Sequence, residues 1–362
     1  MKEKKDNNLD IIKQEIKQKR TKKSEDKIIK IPTGSYNLNM ALSGCWDWAM
    51  ESKRVIELYG HNGSGKSTLS WEIAEQARLA YKKAGIQTKV NIVDAEFKLD
   101  ENYLQKIIEK KNYNLIKENI CEEIWWKIED WIKAGEKIII VDSVGAMTDY
   151  EQRKRGMEKL GFTSPAKAMS WGLRNYIGDI YRNNAFIIFV NHVTFKIGVV
   201  WGDNETTPGG EKLKFFSSYR FKIWTTRGSA EKSKTKDLVD INENLQEIEI
   251  ETGIAVKVKV VKNDTFSPYR VCQIPLIYGE GINKLEDTFL FLQQIGFIGI
   301  KKKKTKKLDD DDKEKSLKGL EIKGFKDNAT KKKILEELCK EGSKLRIRAF
   351  EYMKKFGFEV ME

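Results

Sequence analysis

Four runs along the chain are apolar at consecutive positions rather than alternate ones: "RVIELY" (54–59), "KVNIVDA" (89–95), "KIIIVDS" (137–143) and "AFIIFVNHV" (185–193). A strand of that kind is covered on both faces. Between the runs lie longer segments with apolar residues three and four apart, the helical period. These are "TLSWEIAEQARLAYKK" (68–83), "EEIWWKIEDWIKA" (122–134) and "AMSWGLRNYIGDIYRN" (168–183). The alternation predicts an α/β fold, a mostly parallel twisted sheet with helices on both faces. After residue 215 the helical period stops. "YRFKIWTT", "QEIEIETGIAVKVKVVKN" and "YRVCQIPLIYG" alternate more openly and predict antiparallel strands that extend the sheet.

The two ends follow other patterns. Residues 1–32 carry one short apolar stripe, Leu9, Ile12 and Ile16, in a strongly charged context. A helix that short is marginal alone in water, so it is expected to pack on another surface, such as a second subunit. Residues 33–298 form the expected core. Residues 299–318, which include "KKKKTKKLDDDDKEKS", have no apolar face and are expected to be a charged linker. Residues 319–362 can form a small helical domain.

Composition narrows the function. Of 362 residues, 40% are hydrophobic, enough for a sizeable core, and 67 Lys+Arg against 54 Asp+Glu give +13, which favours a polyanionic partner. The four cysteines are far apart and there are two histidines, His61 and His192, which argues against a structural zinc site and for a reducing compartment. No run approaches the ~18 apolar residues of a membrane span, and the N-terminus lacks a signal-peptide core. A cytoplasmic protein with no membrane partner is the expectation.

"GHNGSGKST" fits the phosphate-loop pattern, with Gly60, then Gly65, Lys66 and Ser67 at the required spacing, between a strand and a helix. The backbone N–H groups of Gly60, His61, Asn62, Gly63, Ser64 and Gly65 would curl round the β-phosphate of ATP. Lys66 would reach the β- and γ-phosphates and Ser67 would coordinate Mg²⁺, with Thr68 completing the loop. Asp142 ends a buried strand, where it would orient a Mg²⁺-bound water or, alternatively, cap a helix. Asp94 and Glu96 end another, and either could be the base for an attacking water, Glu96 being preferred. The strand "AFIIFV" runs into Asn191 and His192 and then a long loop, apolar in its middle and closed by Thr206, Thr207, Pro208, Gly209 and Gly210. Loops of that length are usually functional or disordered.

These pieces resemble, collinearly over roughly residues 30–295, the RecA family of homologous recombinases. The likeness runs through "TGSYNLNMALSG", the phosphate loop, "DAEFKLDENY", "IIIVDSVGAMT", "KIGVVWGDNETTPGGEKLKFFSSYRFKI", "VKVVKNDTFSPY" and "IYGEGIN". It implies an ATPase core of the RecA type that forms a helical filament on single-stranded DNA and pairs it with homologous double-stranded DNA. An ATP-switched filament protein with little strand exchange, and a ring helicase or other motor, are the alternatives. By resemblance, residues 193–210 are the second DNA-binding loop and Asn191 with His192 its γ-phosphate sensor. In that loop Lys196 would meet the DNA backbone, Ile197 would wedge between bases beside Gly198, and Trp201 would stack or anchor the loop. The stem residues Thr206, Thr207, Gly209 and Gly210 complete that DNA contact. Arg153, Lys154 and Arg155, in the expected first DNA loop, suit phosphate contacts, although a charge run is usually a solvated face. Asp100 and Tyr103 match adenine-contacting positions, and Lys262 matches a lysine that reaches the neighbouring subunit's nucleotide. His192 stands where the family usually has glutamine, and Asp264 where it often has a second lysine.

Overall fold

A computed structural model describes residues 27–150, 165–195, 204–225, 232–241, 244–300, 320–322 and 331–354. The expected N-terminal helix, Arg153–Arg155, Lys196–Gly198 and Trp201 lie outside these residues, as does most of the charged linker. The first described elements are β1 (Lys30–Ile31), α1 (Tyr36–Ser43), β2 (Met50–Glu51), β3 (Arg54–Gly60) and α2 (Lys66–Lys83). Next come β4 (Val90–Asp94), α3 (Glu101–Ile107), β5 (Tyr113–Lys117), α4 (Cys121–Lys133) and β6 (Ile138–Asp142). They are followed by α5 (Pro165–Arg182), β7 (Phe186–His192), β8 (Thr194–Phe195), β9 (Glu205–Thr206) and α6 (Gly210–Phe216). The antiparallel part holds β10 (Tyr219–Thr225), β11 (Lys232–Ile241), β12 (Asn244–Asn263), β13 (Val271–Ile277) and β14 (Gly281–Ile282). Last are α7 (Lys284–Gln294), β15 (Ile298–Ile300), β16 (Leu320–Ile322), α8 (Lys331–Cys339) and α9 (Lys344–Met353).

The main sheet has the order β14-β13-β12-β10-β3-β7-β6-β4-β5, with β11 paired to β12. The four continuous apolar runs are β3, β4, β6 and β7, and all pair in parallel. β10 was expected to be antiparallel. It is a hybrid: parallel to β3 on one edge and antiparallel to β12 on the other. Helices do not end at residue 215 either, since α7 follows β14.

Each central strand splits its apolar residues between two cores, as an alternating pleat requires. Ile56, Leu58, Ile188 and Val190 face α2, packing with Leu69, Ile73 and Tyr81. Val55, Ile187 and Phe189 face the other way, onto Trp125 of α4 and Leu173 of α5. α4 and α5 approach so closely that a Cβ on Gly172 would lie 2.0 Å from the Trp125 ring.

A third cluster joins Phe289, Phe291 and Leu292 of α7 to Ile334 and Leu338 of α8 and Leu345 and Met353 of α9. Buried Asp287 ties α7 to the start of α1. It accepts from the Ser35 hydroxyl at 2.6 Å, the Tyr36 N–H at 2.7 Å and the Asn37 amide at 2.9 Å. Removing the carboxylate strands these donors, so Asp287→Ala should cost about 2–4 kcal/mol of stability. The urea midpoint checks this, and an unchanged midpoint would deny the clamp.

Candidate nucleotide site and DNA loop stem

Parallel pairing gathers the chemistry at one edge. Gly60 at the end of β3 lies in register with His192 at the end of β7, and Asp94 of β4 lies in register with Asp142 of β6. Carboxyl ends of parallel strands are where α/β sheets bind ligands. Gly60 turns into the phosphate loop beside β10, where a Cβ would sit 2.0 Å from the Ile223 carbonyl oxygen. Gly65 takes φ +81°, left-handed backbone that favours glycine, and caps α2. The N-terminus of α2 therefore faces the loop, an arrangement suited to phosphate.

Lys66 is buried, and its ammonium donates to the His61 carbonyl at 2.8 Å. Burial lowers its pKa, opposed by the charges of Asp142 and Glu96. Burial also pushes Asp142 up to about 6, opposed by a hydrogen bond from the Ser67 side chain, with the Glu96 charge adding to the rise. A hydroxyl and a carboxylate meeting beside the phosphate loop are the hard oxygen donors that Mg²⁺ takes with substrate phosphates and water. Among the described residues no cluster of three or more His, Cys, Asp or Glu could hold a metal.

Asp94 and Glu96 have different surroundings. Asp94 is buried and accepts the backbone N–H groups of Lys98 at 3.3 Å and Leu99 at 3.0 Å, which fixes the turn after β4. Glu96 lies on the cleft and accepts from the Ser143 hydroxyl at 2.6 Å, while His192 Nε2 lies 2.5 Å from the same oxygen. Burial raises the Glu96 pKa. Hydrogen bonds from Ser143 and His192, with the charges of His192 and Lys98, outweigh that and leave it below the usual carboxylate range. Glu96 is thus an ionised acceptor at neutral pH.

Asn191 and His192 have different surroundings. Asn191 is fully buried, and its amide donates to Glu57 and to the Pro208 carbonyl rather than facing the cleft. His192 faces the cleft beside Lys66, Ser67, Glu96 and Asp142. Of the expected sensor pair, only His192 lines this cleft.

The same cleft, about 440 Å³, includes Asn62, Gly63, Thr68, Asp100 and Tyr103. Tyr103 O–H and the Thr68 hydroxyl share a hydrogen bond of 2.8 Å, and Trp71 meets the Tyr103 ring edge-on at 5.3 Å. Asp100 caps α3 by accepting from the N–H groups of Asn102 and Tyr103. An adjoining pocket brings Tyr278 and Gly279 opposite Gly63, Ser64 and Tyr103. Tyr278 carries no expected role, although it lies inside "IYGEGIN". Lys262 stands away from this cleft, donating to the Phe215 carbonyl at 2.8 Å and lying 3.8 Å from Asp264.

The loop stem is also formed. β8 and β9 pair antiparallel across the loop, and Thr206 accepts from Lys214 at 3.0 Å. Thr207 is buried, while Gly209 and Gly210 take φ +89° and +74° and begin α6. An open cleft beside Gly210 is lined by Lys167, Ser170, Arg174 and Lys212, from α5 and α6. Nothing in the sequence marks these residues as cleft-lining, because the helical period of α5 reports its buried stripe and not what its other face meets.

A glycine-wrapped lysine and hydroxyl at the carboxyl edge of a parallel sheet, with an ionised glutamate across the cleft, define a phosphate-loop nucleotide-binding protein. Residues 8–283 match the RecA N-terminal domain. The chain is similar to Protein RecA of Aquifex aeolicus, 32% identical over 270 residues, 74% of this chain and 71% of that protein. It is likewise similar to Protein RecA of Methylococcus capsulatus, 34% identical over 256 residues, 70% of this chain and 67% of that protein. The chain belongs to the RecA family, and with that goes an α/β core of the RecA type. Among the described residues no helix is long and apolar enough to cross a membrane.

Proposed function

We propose that this protein is an ATP-dependent recombinase that assembles as a filament on single-stranded DNA and pairs it with a homologous duplex. The observation that carries the proposal is the position of His192. It contacts Glu96 on the nucleotide cleft and stands on the strand that enters the 193–210 loop. One side chain therefore links hydrolysis to the segment expected to hold DNA.

Lys66 and the phosphate-loop N–H groups bind and orient the triphosphate, with Tyr103 and Tyr278 on either side of the base-and-ribose pocket. Mg²⁺, held by Ser67 and by Asp142 through water, would supply charge neutralisation on the β- and γ-phosphates. Glu96 takes a proton from water as the water oxygen bonds to the γ-phosphorus and the bond to the ADP oxygen breaks. His192 exchanges its Glu96 contact for the γ-phosphate, which frees the carboxylate for water and draws the loop root toward the nucleotide. Hydrolysis reverses the exchange and releases the loop.

On the DNA side, Lys167, Arg174 and Lys212, with Gly210 and one carboxylate, Glu211, line a net-cationic seat for phosphates. From the 193–210 loop Lys196 would add charge and Ile197 an apolar wedge between bases, and Arg153–Arg155 would add charge from the first loop. Lys262, with its charge partly neutralised by Asp264, would meet the nucleotide of an adjacent copy. The segment at residues 1–32 would hold that copy through Leu9, Ile12 and Ile16.

Electron microscopy of the protein with single-stranded DNA and a non-hydrolysable ATP analogue tests this assembly. Continuous helical filaments that need both ligands are expected. Closed rings, or monomers under the same conditions, would contradict it.

A further inference from the structure

Glu57 sits within β3, three residues before the phosphate loop begins, and is fully buried despite its charge. Its Oε2 accepts from Arg220 Nε of β10 at 2.6 Å, and its Oε1 accepts from Asn191 Nδ2 of β7 at 3.0 Å. The guanidinium of Arg220 in turn lies 5.0 Å from the centre of the Tyr59 ring. The carboxylate is thus fixed on both sides.

The Asn191 amide does two further things. Its Nδ2 also donates to the Pro208 carbonyl at 2.8 Å, and its Oδ1 accepts from the His192 N–H at 2.9 Å. A carboxamide has two N–H donors and one carbonyl acceptor, so each is used here by a different strand or loop. Pro208 and His192 also pack over one small residue. A Cβ on Gly145 would lie 3.3 Å from His192 Cδ2 and 3.5 Å from Pro208 Cγ.

We propose that Glu57 and Asn191 are positioning residues, a buried strut that holds the returning stem of the 193–210 loop to the strand end carrying His192. The proposal rests on the reading of that loop as the nucleotide-responsive DNA segment. Both ends of the loop are then referred to one point. The outgoing end leaves from His192, and the returning end is hydrogen-bonded through Pro208 to the residue before it. A movement of His192 toward a phosphate pulls on Asn191, whose amide is pinned by Glu57, so the displacement passes to Pro208 and the two left-handed glycines after it. Without the strut, His192 could still meet the phosphate, but the returning stem would not follow.

Backbone hydrogen exchange across residues 204–210, measured with and without saturating non-hydrolysable ATP analogue, reads this directly. The proteins are wild type, Asn191→Ala and Glu57→Gln, each with its melting temperature. Asn191→Ala leaves the Glu57–Arg220 pair intact, so the core should still close. In wild type the analogue should slow stem exchange by about five-fold or more, the change expected for one secured hydrogen bond. Asn191→Ala should lose most of that slowing. Glu57→Gln keeps a carbonyl for the Asn191 amide and should keep the slowing, although its melting temperature falls because Arg220 loses a charged partner.

A wild-type stem indifferent to the analogue would overturn the strut, as would an Asn191→Ala stem that slows fully. So would a Glu57→Gln protein that loses the response in step with its stability, since that marks a packing role only. A stem that responds as expected while single-stranded DNA affinity ignores the analogue would leave the strut standing and remove the DNA role of the loop instead.

Discussion

Glu96→Gln should lower ATP turnover by about 10²–10⁴-fold while nucleotide and DNA binding persist. The amide keeps the size of the carboxylate and an oxygen that can accept from the Ser143 hydroxyl, so the cleft retains its shape. What it cannot do is take a proton from water. Glu96 is the proposed base because Asp94, the carboxylate that ends β4, accepts from two backbone N–H groups. Steady-state phosphate release, together with analogue affinity, separates the two effects. Turnover within a few-fold of wild type would move the base elsewhere.

His192→Ala should have the second-largest effect, on coupling. Coupling free energies between sites are typically 1–3 kcal/mol, or about 5–150-fold. The gain in DNA affinity that ATP gives should shrink by a factor in that range, while the phosphate loop is left in place. The sign of a pH effect also follows. The hydrogen bond and charge of His192 help hold the Glu96 pKa down, so its base form persists at neutral pH and is lost only below the usual carboxylate range. Without His192 the Glu96 pKa of the free enzyme rises, and the acid limb of kcat/KM for ATP, which reports the free enzyme, should move to higher pH. His192→Gln restores a donor amide and should recover much of the coupling, though not the charge. An alanine variant with the full ATP-dependent gain and an unmoved acid limb would make His192 a packing residue.

The parts of the fold that were readable are those where one constraint acts alone. Strands β3, β4, β6 and β7 are buried on both faces, and that forces near-continuous apolar runs, broken inside β3 by Glu57 and inside β4 by Asn91. Strand β5, "YNLIK", has one partner and lies at the sheet edge, so its composition is mixed and left no comparable signal. Helices α1, α3 and α6 are one or two turns long, too brief to show a stripe. β10 alternates like an antiparallel strand because its pleat is half-buried, and nothing in that pattern distinguishes the partner on its β3 edge.

The site divides similarly. The phosphate loop is local, and its spacing carries its chemistry. The approach of His192 to Glu96 depends on the register of β7 against β3 and on the turn after β4, relations between distant segments. The family resemblance pairs Asn191 with His192 as one sensor, but adjacent residues of a strand point to opposite faces. That alternation sends Asn191 toward Glu57 and His192 toward the cleft.

The most direct measurement is the affinity of the wild-type protein for a single-stranded oligonucleotide, at fixed salt, with and without a non-hydrolysable ATP analogue and Mg²⁺. If the nucleotide cleft and the 193–210 loop form one coupled unit, the analogue should tighten DNA binding by about ten-fold or more. Equal affinity in both conditions, with the analogue shown to be bound, would contradict that coupling.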